Sequence, residues 1–389
     1  MKSMRVFGLF LIVTLISLLA GAGRSTAADC VGWMQLPSPN VGSSDNTLAA
    51  VTGAAVGDIW AVGQYAPDSN PNMTLTLTQH FDGGSWRVVS SPNVGDRANA
   101  LFAASAGGGA VWAVGYYIDP TTLSPRSLIE SWNGTGWTIV PHPDPGVMSH
   151  LFGVSALASN DVWAVGDTQD SNDIFGVLIE HFDGARWSVV TGANPGVTGN
   201  HLNSVSALSA NDVWAVGQTF RLAPPDAALI EHFDGTSWSS VASPTVPASV
   251  LFYGVSAVPG GEPRAVGEAQ SDRVNFRTIA AQSSNGVWSL DQPISLGRGE
   301  NHLYGIASGL DGIQWAVGTR LDAASGNLLT LVERRDTSGW TVEASPNPGL
   351  ANGNTMLSGV AIFGETDGWA VGEFDGANAE QTLVLHRCQ

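Results

Sequence analysis

The chain has 389 residues, 13% of them charged, and its 34 acidic side chains outnumber its 16 basic ones for a net charge of −18. Such a surface lacks the clustered cations that nucleic acid and anionic membranes require, which argues against both as partners. Lys2 is the only lysine, so Schiff-base chemistry and a P-loop lysine are excluded.

Residues 1–28 place Lys2 and Arg5 before an apolar run over residues 6–20, followed by small residues ending at Ala27 and Ala28. That is the order of a secretory signal peptide, and the run is too short to favour a retained membrane anchor. Cleavage after Ala27 or Ala28 is expected, giving a secreted or cell-surface protein without a membrane span. The remaining chain would carry 34 acidic and 13 basic side chains, a net charge of −21, and no lysine.

From there the sequence repeats. Trp-Ala-Val-Gly begins at Trp60, Trp112, Trp163, Trp214, Trp315 and Trp369, with Arg264 in the Trp place of a seventh copy, at offsets of 52, 51, 51, 50, 51 and 54 residues. A fixed period of this length marks a closed or stacked repeat architecture in which no single unit buries its own apolar faces. The fourth repeat serves as the template. Residues 201–208 read as strand a, 213–217 as strand b, 218–226 as a polar loop, 227–233 as strand c and 238–242 as strand d, with Asp234-Gly235 as a tight hairpin signal. The expected fold is all-β: residues 29–389 form one seven-bladed β-propeller of four-stranded antiparallel blades, expected as a monomer.

A second Trp opens strand d at Trp33, Trp86, Trp137, Trp187, Trp238, Trp288 and Trp340. Large rings recurring once per blade read as wedges between sheets. The Asp two places before the strand b Trp, at Asp58, Asp161, Asp212 and Asp367, reads as a turn residue whose side chain caps its own backbone. The last repeat ends in a strand c at residues 383–389, and the missing strand d lies at the other end of the chain, around Trp33. Aligned to the template, Cys30 and Cys388 fall on adjacent positions of the c–d turn where the ring is cut. In a secreted protein with two cysteines, a disulfide across that cut is the economical expectation.

The succession of an inner strand, an aromatic-Val-Gly strand, strand c, a turn and a strand d Trp resembles the kelch-type propeller repeat of galactose-oxidase-like central domains. It departs where kelch repeats carry Gly-Gly, since here Gly166 is followed by Asp167. The turn Phe233-Asp234-Gly235-Thr236-Ser237-Trp238 more weakly resembles the Asp-box of sialidase-like propellers, without the residue between Asp and Gly. A galactose-oxidase-like copper site implies a Tyr crosslinked to Cys, and both cysteines here are assigned to the seam. A sialidase-like site implies three Arg on the central axis, and the Arg of this chain do not recur at one strand position.

In a propeller, strand a lies nearest the axis, so the d–a and b–c connections share one face. The a–b and c–d turns of the other face repeat nearly by rote, whereas the b–c loops differ in every repeat, and variable loops on a repeated frame are where specificity is placed. At the start of strand a, Asn99, His150, Asn200, His201, Asn301 and His302 should ring the channel mouth, either holding the backbone of the d–a turn or giving a polar floor for a neutral ligand. Tyr65, Tyr116 and Tyr117 in the b–c loops add aromatic faces for sugar stacking or a protein partner. His150, His201 and His302 are spaced too unevenly around the ring for a three-His metal site, and no metal is expected there. His80, His181, His232 and His386 on strand c are expected as structural groups bonded between blades. No cofactor is expected; calcium near Asp167, Asp170 and Asp173 is the one candidate, out of register for a Ca²⁺ loop. The sequence therefore reads as a secreted, non-catalytic binding propeller for carbohydrate or an extracellular protein. The alternative is an extracellular glycoside hydrolase or lyase of sialidase-like type.

Overall fold

Four strand-forming runs per period produce seven four-stranded antiparallel sheets, arranged as the blades of a β-propeller. The computed structural model describes residues 32–196, 198–221, 225–258, 261–272, 275–297, 299–364 and 367–388. The leader over residues 1–28 and Cys30 lie outside the described residues. The inner strands are Asn46–Ala55, Asn99–Gly107, Met148–Ala158, Gly199–Ser209, Ser249–Ser256, Asn301–Ser308 and Thr355–Ile362. Each contacts the next, and the first contacts the last, so they close a ring around an axis.

The seam lies where the missing strand d was expected. Gly32–Leu36 pairs antiparallel with the C-terminal strand Glu380–Cys388, Gly32 lying opposite Cys388 and Trp33 opposite Arg387. The chain's own N-terminal strand thus completes the seventh blade. Blades 3 and 4 touch through one further bridge, Phe175 to Gly199.

Burial explains the repeated tryptophans. The strand b Trp of each blade meets the strand d Trp of the next edge-to-face: Trp60 with Trp137, Trp112 with Trp187, Trp163 with Trp238, Trp214 with Trp288, Trp315 with Trp33 and Trp369 with Trp86, at 5.3–5.7 Å between centroids. This arrangement is the one favoured by ring quadrupoles. Each pair sits in an apolar cluster shared by two blades, such as Trp163, Val165 and Ile179 with Leu202, Val213 and Leu229. Where Arg264 replaces Trp, its guanidinium is held by Asp291 (2.7 Å) and Gln282.

The strand c histidines act within a blade rather than between blades, a correction to the sequence reading. Nε2 of His80, His181, His232 and His386 donates to Asp58, Asp161, Asp212 and Asp367 at 2.6–2.9 Å, and each imidazole stacks on the strand b Trp of its own sheet. Those Asp are therefore His-binding groups rather than self-capping turn residues. The pairing shows within the sequence itself: where the Asp is Ala110, the His is Ser131.

A second pattern crosses the blade boundary. Strand c carries buried Gln79, Glu130, Glu180, Glu231 and Glu333. Glu231 accepts the backbone N–H of Ala193, and Glu333 that of Ile294, both in the d–a loop of the preceding blade. Where that loop position is proline, no N–H exists to donate. There the acid is replaced by Ala281 or Leu385, becomes Gln79 donating to the Pro39 carbonyl, or is met by the imidazole of His142 at Glu180. Glu130, opposite Pro92, has no hydrogen-bond partner for either carboxyl oxygen. Burial raises its pKa to about 8.

Candidate functional site at the mouth of the axial channel

Every inner strand carries a β-bulge at the same place. The register against strand b slips between Leu48 and Ala50, Leu101 and Ala103, Leu151 and Gly153, Leu202 and Ser204, Phe252 and Gly254, Leu303 and Gly305, and Leu357 and Gly359. A bulge leaves one residue outside the ladder and re-aims its side chain. The seven residues so released are Ala49, Phe102, Phe152, Asn203, Tyr253, Tyr304 and Ser358, and all seven line an axial cavity of about 460 Å³.

The bulge also accounts for the invariant glycine of Trp-Ala-Val-Gly. A Cβ on Gly166 would run into the carbonyl oxygen of His150, and one on Gly217 into that of His201. The inner strand approaches too closely at the bulge for any side chain on its partner. Small residues follow the bulge for a related reason: a Cβ on Gly153 would lie 2.9 Å from Ser204 of the next blade.

Toward the d–a/b–c face, the residue after that glycine lies opposite the second or third residue of the inner strand. His150 pairs with Asp167, His201 with Gln218, Leu251 with Glu268, His302 with Thr319, and Ala100 with Tyr116. The place after the glycine is thus held by Asp167, Gln218, Glu268, Thr319 and Tyr116 in these blades. Strand b runs on through Tyr65, Tyr117 and Phe220. Tyr65, Tyr116 and Tyr117 are consequently the last rungs of a ladder and not loop residues, because pairing with the inner strand continues past the expected end.

On the side of blades 2–4, Nδ1 of His150 and of His201 donates to the two oxygens of Asp167 at 2.9 and 2.7 Å. Burial alone would raise the Asp167 pKa, but these two bonds outweigh it and hold the carboxyl below its usual range. An ionised carboxylate only accepts, so each imidazole carries a proton on Nδ1. Phe152 stacks against His150 and lies 4.5 Å from His201, and Phe102 stacks on both Phe152 and Tyr116. Burial raises the Tyr116 phenol.

On the side of blades 5–7, Nδ1 of His302 and the Tyr253 hydroxyl both donate to Oε2 of Glu268, the latter at 3.3 Å. His302 stacks parallel on Tyr304, which meets Tyr253 edge-on at 5.1 Å. Burial raises the Tyr253 phenol, with Glu268 adding to it, and raises that of Tyr304, on which Glu268, Glu300 and Glu373 act in the same direction. Glu373 itself is raised to about 7 by burial and by the carboxylates of Glu380, Asp375 and Asp45.

The sequence-predicted residues divide between these roles. His150, His201 and Tyr116 come together on one side, and His302 stands on the other with Glu268 and Tyr304. Asn99, Asn200 and Asn301 are buried, and their amides bond the backbone of the d–a loop, as in Val94 N–H to Asn99 at 2.8 Å and Gly196 N–H to Asn200 at 2.8 Å. Tyr65 and Tyr117 pack against the apolar clusters between blades. Asp170 accepts the N–H groups of Asn172 and Ile174 in a local turn, away from the His-bound Asp167, and Asp173 has positive φ. Among the described residues, no three His, Cys, Asp or Glu side chains are grouped so as to hold a metal ion. No Arg is among the described residues lining the axial cavity, so the three-Arg arrangement of sialidase-like sites is not found there. Phe102, Phe152, Tyr253, Tyr304 and Glu268 were not assigned to a site from sequence. Their signal is a constant frame, Leu or Phe, then one freely varying residue, then Ala, Ser or Gly.

No protein-family model and no curated protein matches the chain. Solved structures do. The β-propeller domain of the Trilobed protease from Pyrococcus furiosus is similar at 8% identity and a TM-score of 0.50, over 87% of this chain and 94% of that one. Trypanosoma rangeli sialidase, in complex with the inhibitor DANA, is similar at 9% identity and a TM-score of 0.47, over 88% of this chain and 55% of that one. YCF48 bound to a D1 peptide is similar at 12% identity and a TM-score of 0.40, over 93% and 96%. The chain shares the propeller fold, and at such identities the likeness extends to fold alone.

Proposed function

We propose that this protein is a secreted, non-catalytic propeller that binds carbohydrate at the axial mouth of its d–a/b–c face. The observation that carries the reading is the contact between aromatic rings that line the axial cavity, Phe102, Phe152, Tyr253 and Tyr304, and orientation-fixed polar groups that stand next to them toward the d–a/b–c face. Phe102, Phe152 and Tyr116 stand beside the His150–Asp167–His201 group, and Tyr253 and Tyr304 beside Glu268 and His302. Aromatic faces suit the apolar faces of pyranose rings, and fixed acceptors suit their hydroxyls. A cavity of about 460 Å³ fits one or two sugar units. The kelch-type resemblance is compatible with this use of the mouth, and the reading needs no cofactor.

The test is a glycan array on the secreted protein, followed by titration of the best ligand. Binding lost on Phe152→Ala or Tyr253→Ala, with folding retained, supports the reading; capture of an extracellular protein with no glycan bound overturns it. A hydrolase reading draws on one feature, the proton held by Glu373 up to about pH 7, and turnover on a polysaccharide panel would establish it. The same proposal places a cleaved leader before residue 29 and a disulfide between Cys30 and Cys388.

A further inference from the structure

Near the start of each strand c one backbone N–H faces away from strand b and lies beyond the reach of the short strand d. Five of the seven blades cap it from within. The N–H groups of Thr76, Val177, Thr330 and Thr382 donate to Asn93, Asn194, Asn347 and Asn40 of the d–a loop at 2.7–2.9 Å, and that of Ser127 donates to Ser149 at 2.9 Å. In blades 4 and 5 the Asn position, seven residues after the strand d Trp, holds Thr245 and Ser295. The N–H groups in question there belong to Ala228 and Thr278. Two residues on, the carbonyls of Ile230 and Ala280 accept Val241 and Asp291 at 2.8 and 2.9 Å, so Ala228 and Thr278 point to the same outer side of the strand. Among the described residues, neither N–H meets an acceptor.

A cleft opens at each of these two places, in equivalent positions of neighbouring blades. The blade 4 cleft, about 410 Å³, is lined by residues 227–229 of strand c and 240–243 at the end of strand d, and the blade 5 cleft, about 420 Å³, by residues 277–280 and 290–293. Each contains one exposed arginine, Arg221 from the b–c loop in blade 4 and Arg277 from strand c in blade 5. The same charge is thus brought to the same place from two different strand positions. Among the described residues neither guanidinium is ion-paired; the Arg221 backbone N–H goes to Asp226. Asp291, the carboxylate in the blade 5 lining, is already matched by Arg264 and Arg335 at 2.7 and 3.1 Å.

An uncapped N–H beside an unpaired guanidinium is complementary to a carboxylate, whose oxygens take both donors in charge-assisted bonds. We infer that the clefts of blades 4 and 5 are twin binding sites for a uronic-acid sugar, its carboxylate standing where the other blades place an Asn side chain. Ser240 and Ser243 in one cleft, and Gln292 and Ser295 in the other, suit the ring hydroxyls. An extended acidic peptide suits them less, because strand d pairs with strand c from Glu231 and Ala281 onward and leaves only a short edge uncovered. The chain's net charge does not bar a lone carboxylate, since charges beyond about 8 Å are screened at physiological salt. The clefts share no lining residue with the axial cavity, so the inference does not rest on the reading of the mouth.

Calorimetric titration of the secreted protein with a galacturonate trimer, its methyl ester and a glutamate pentapeptide tests this. Two trimers are expected to bind per chain, at least about tenfold more tightly than the ester, a difference of about 1.4 kcal/mol. Thr245→Asn combined with Ser295→Asn supplies the side chain that caps strand c in other blades, and is expected to abolish trimer binding without lowering the unfolding temperature. Arg221→Gln combined with Arg277→Gln should weaken the trimer at least about tenfold, whereas Phe152→Ala in the axial mouth should leave it unchanged. Equal binding of trimer and ester, or no binding of the trimer, overturns the inference. Trimer binding kept in the double Asn variant and lost in Phe152→Ala also overturns it, in favour of the mouth. A stoichiometry of one overturns the twin assignment, and pentapeptide binding as tight as the trimer overturns the sugar.

Discussion

His201 of blade 4 donates from Nδ1 to Asp167 of blade 3 across the boundary between them, at 2.7 Å, and His150 occupies the other oxygen of the same carboxylate. One side chain thereby fixes the Nδ1 hydrogen bond and the orientation of two imidazoles on neighbouring sheets. Asp167→Ala leaves both partly buried Nδ1 groups without their acceptor. The expected cost is roughly 1–3 kcal/mol, read from urea unfolding, together with loss of ligand affinity. Asp167→Asn keeps one acceptor oxygen and should lie between the two.

The close approach behind Gly166 separates two substitutions that look alike on paper. Gly166→Ala sets a Cβ against the His150 carbonyl and should cost about 3 kcal/mol, the upper end for overpacking. Gly136→Ala, with open space around it, should stay within about 0.5 kcal/mol. Thermal unfolding of the two variants compares them.

Trp163 is nearly fully buried between His181, which it stacks on at 4.2 Å, and Trp238 of the next blade. Trp163→Ala opens a cavity between blades and should cost roughly 3–5 kcal/mol. Tyr116→Ala should change stability less and binding more. Changes at Thr236 and Ser237, on the turns of the opposite face, should affect neither.

The buried acids of strand c make stability depend on pH in an uncommon direction. Burial raises Glu130 to about 8, and Glu231 and Glu333 to about 7, the last two despite an N–H bond that lowers them. Each group therefore holds its proton more tightly folded than unfolded, and ∂ΔG/∂pH is negative between the two values. Stability is expected to be greatest near pH 4.5 and to fall as pH rises toward 8. Glu130→Gln, which cannot ionise, should flatten that decline, with a gain on the order of 3 kcal/mol at pH 9 and little at pH 4.5. Denaturant unfolding from pH 4.5 to 9 measures it; a decline of equal slope in Glu130→Gln refutes it.

Much of the fold was legible in the sequence because it repeats. Seven in-phase copies expose strand order, the tryptophan wedges and the position of the seam without any need to identify contacts. The mouth was only half legible. His150, His201 and His302 stand out as residue types, but Phe102, Phe152, Tyr253 and Tyr304 look like ordinary core aromatics, because a bulge is a count of two residues against one on a partner strand. The length of strand b misled for a similar reason: Tyr116 and Tyr117 read as loop until the inner strand opposite is known. Asp212 and His232 were both visible, yet each was given a local or distant partner rather than the other, since a sequence shows spacing and not register.

The bulge has one last consequence. In each blade an apolar residue precedes the bulge and a small one follows it, while the released residue lines the cavity. In this chain that place is filled by alanine, phenylalanine, phenylalanine, asparagine, tyrosine, tyrosine and serine. Seven positions around one axis thus differ in residue type on a constant frame, and where their rings touch, as Phe102 with Phe152 and Tyr253 with Tyr304, a change at one is felt at the next.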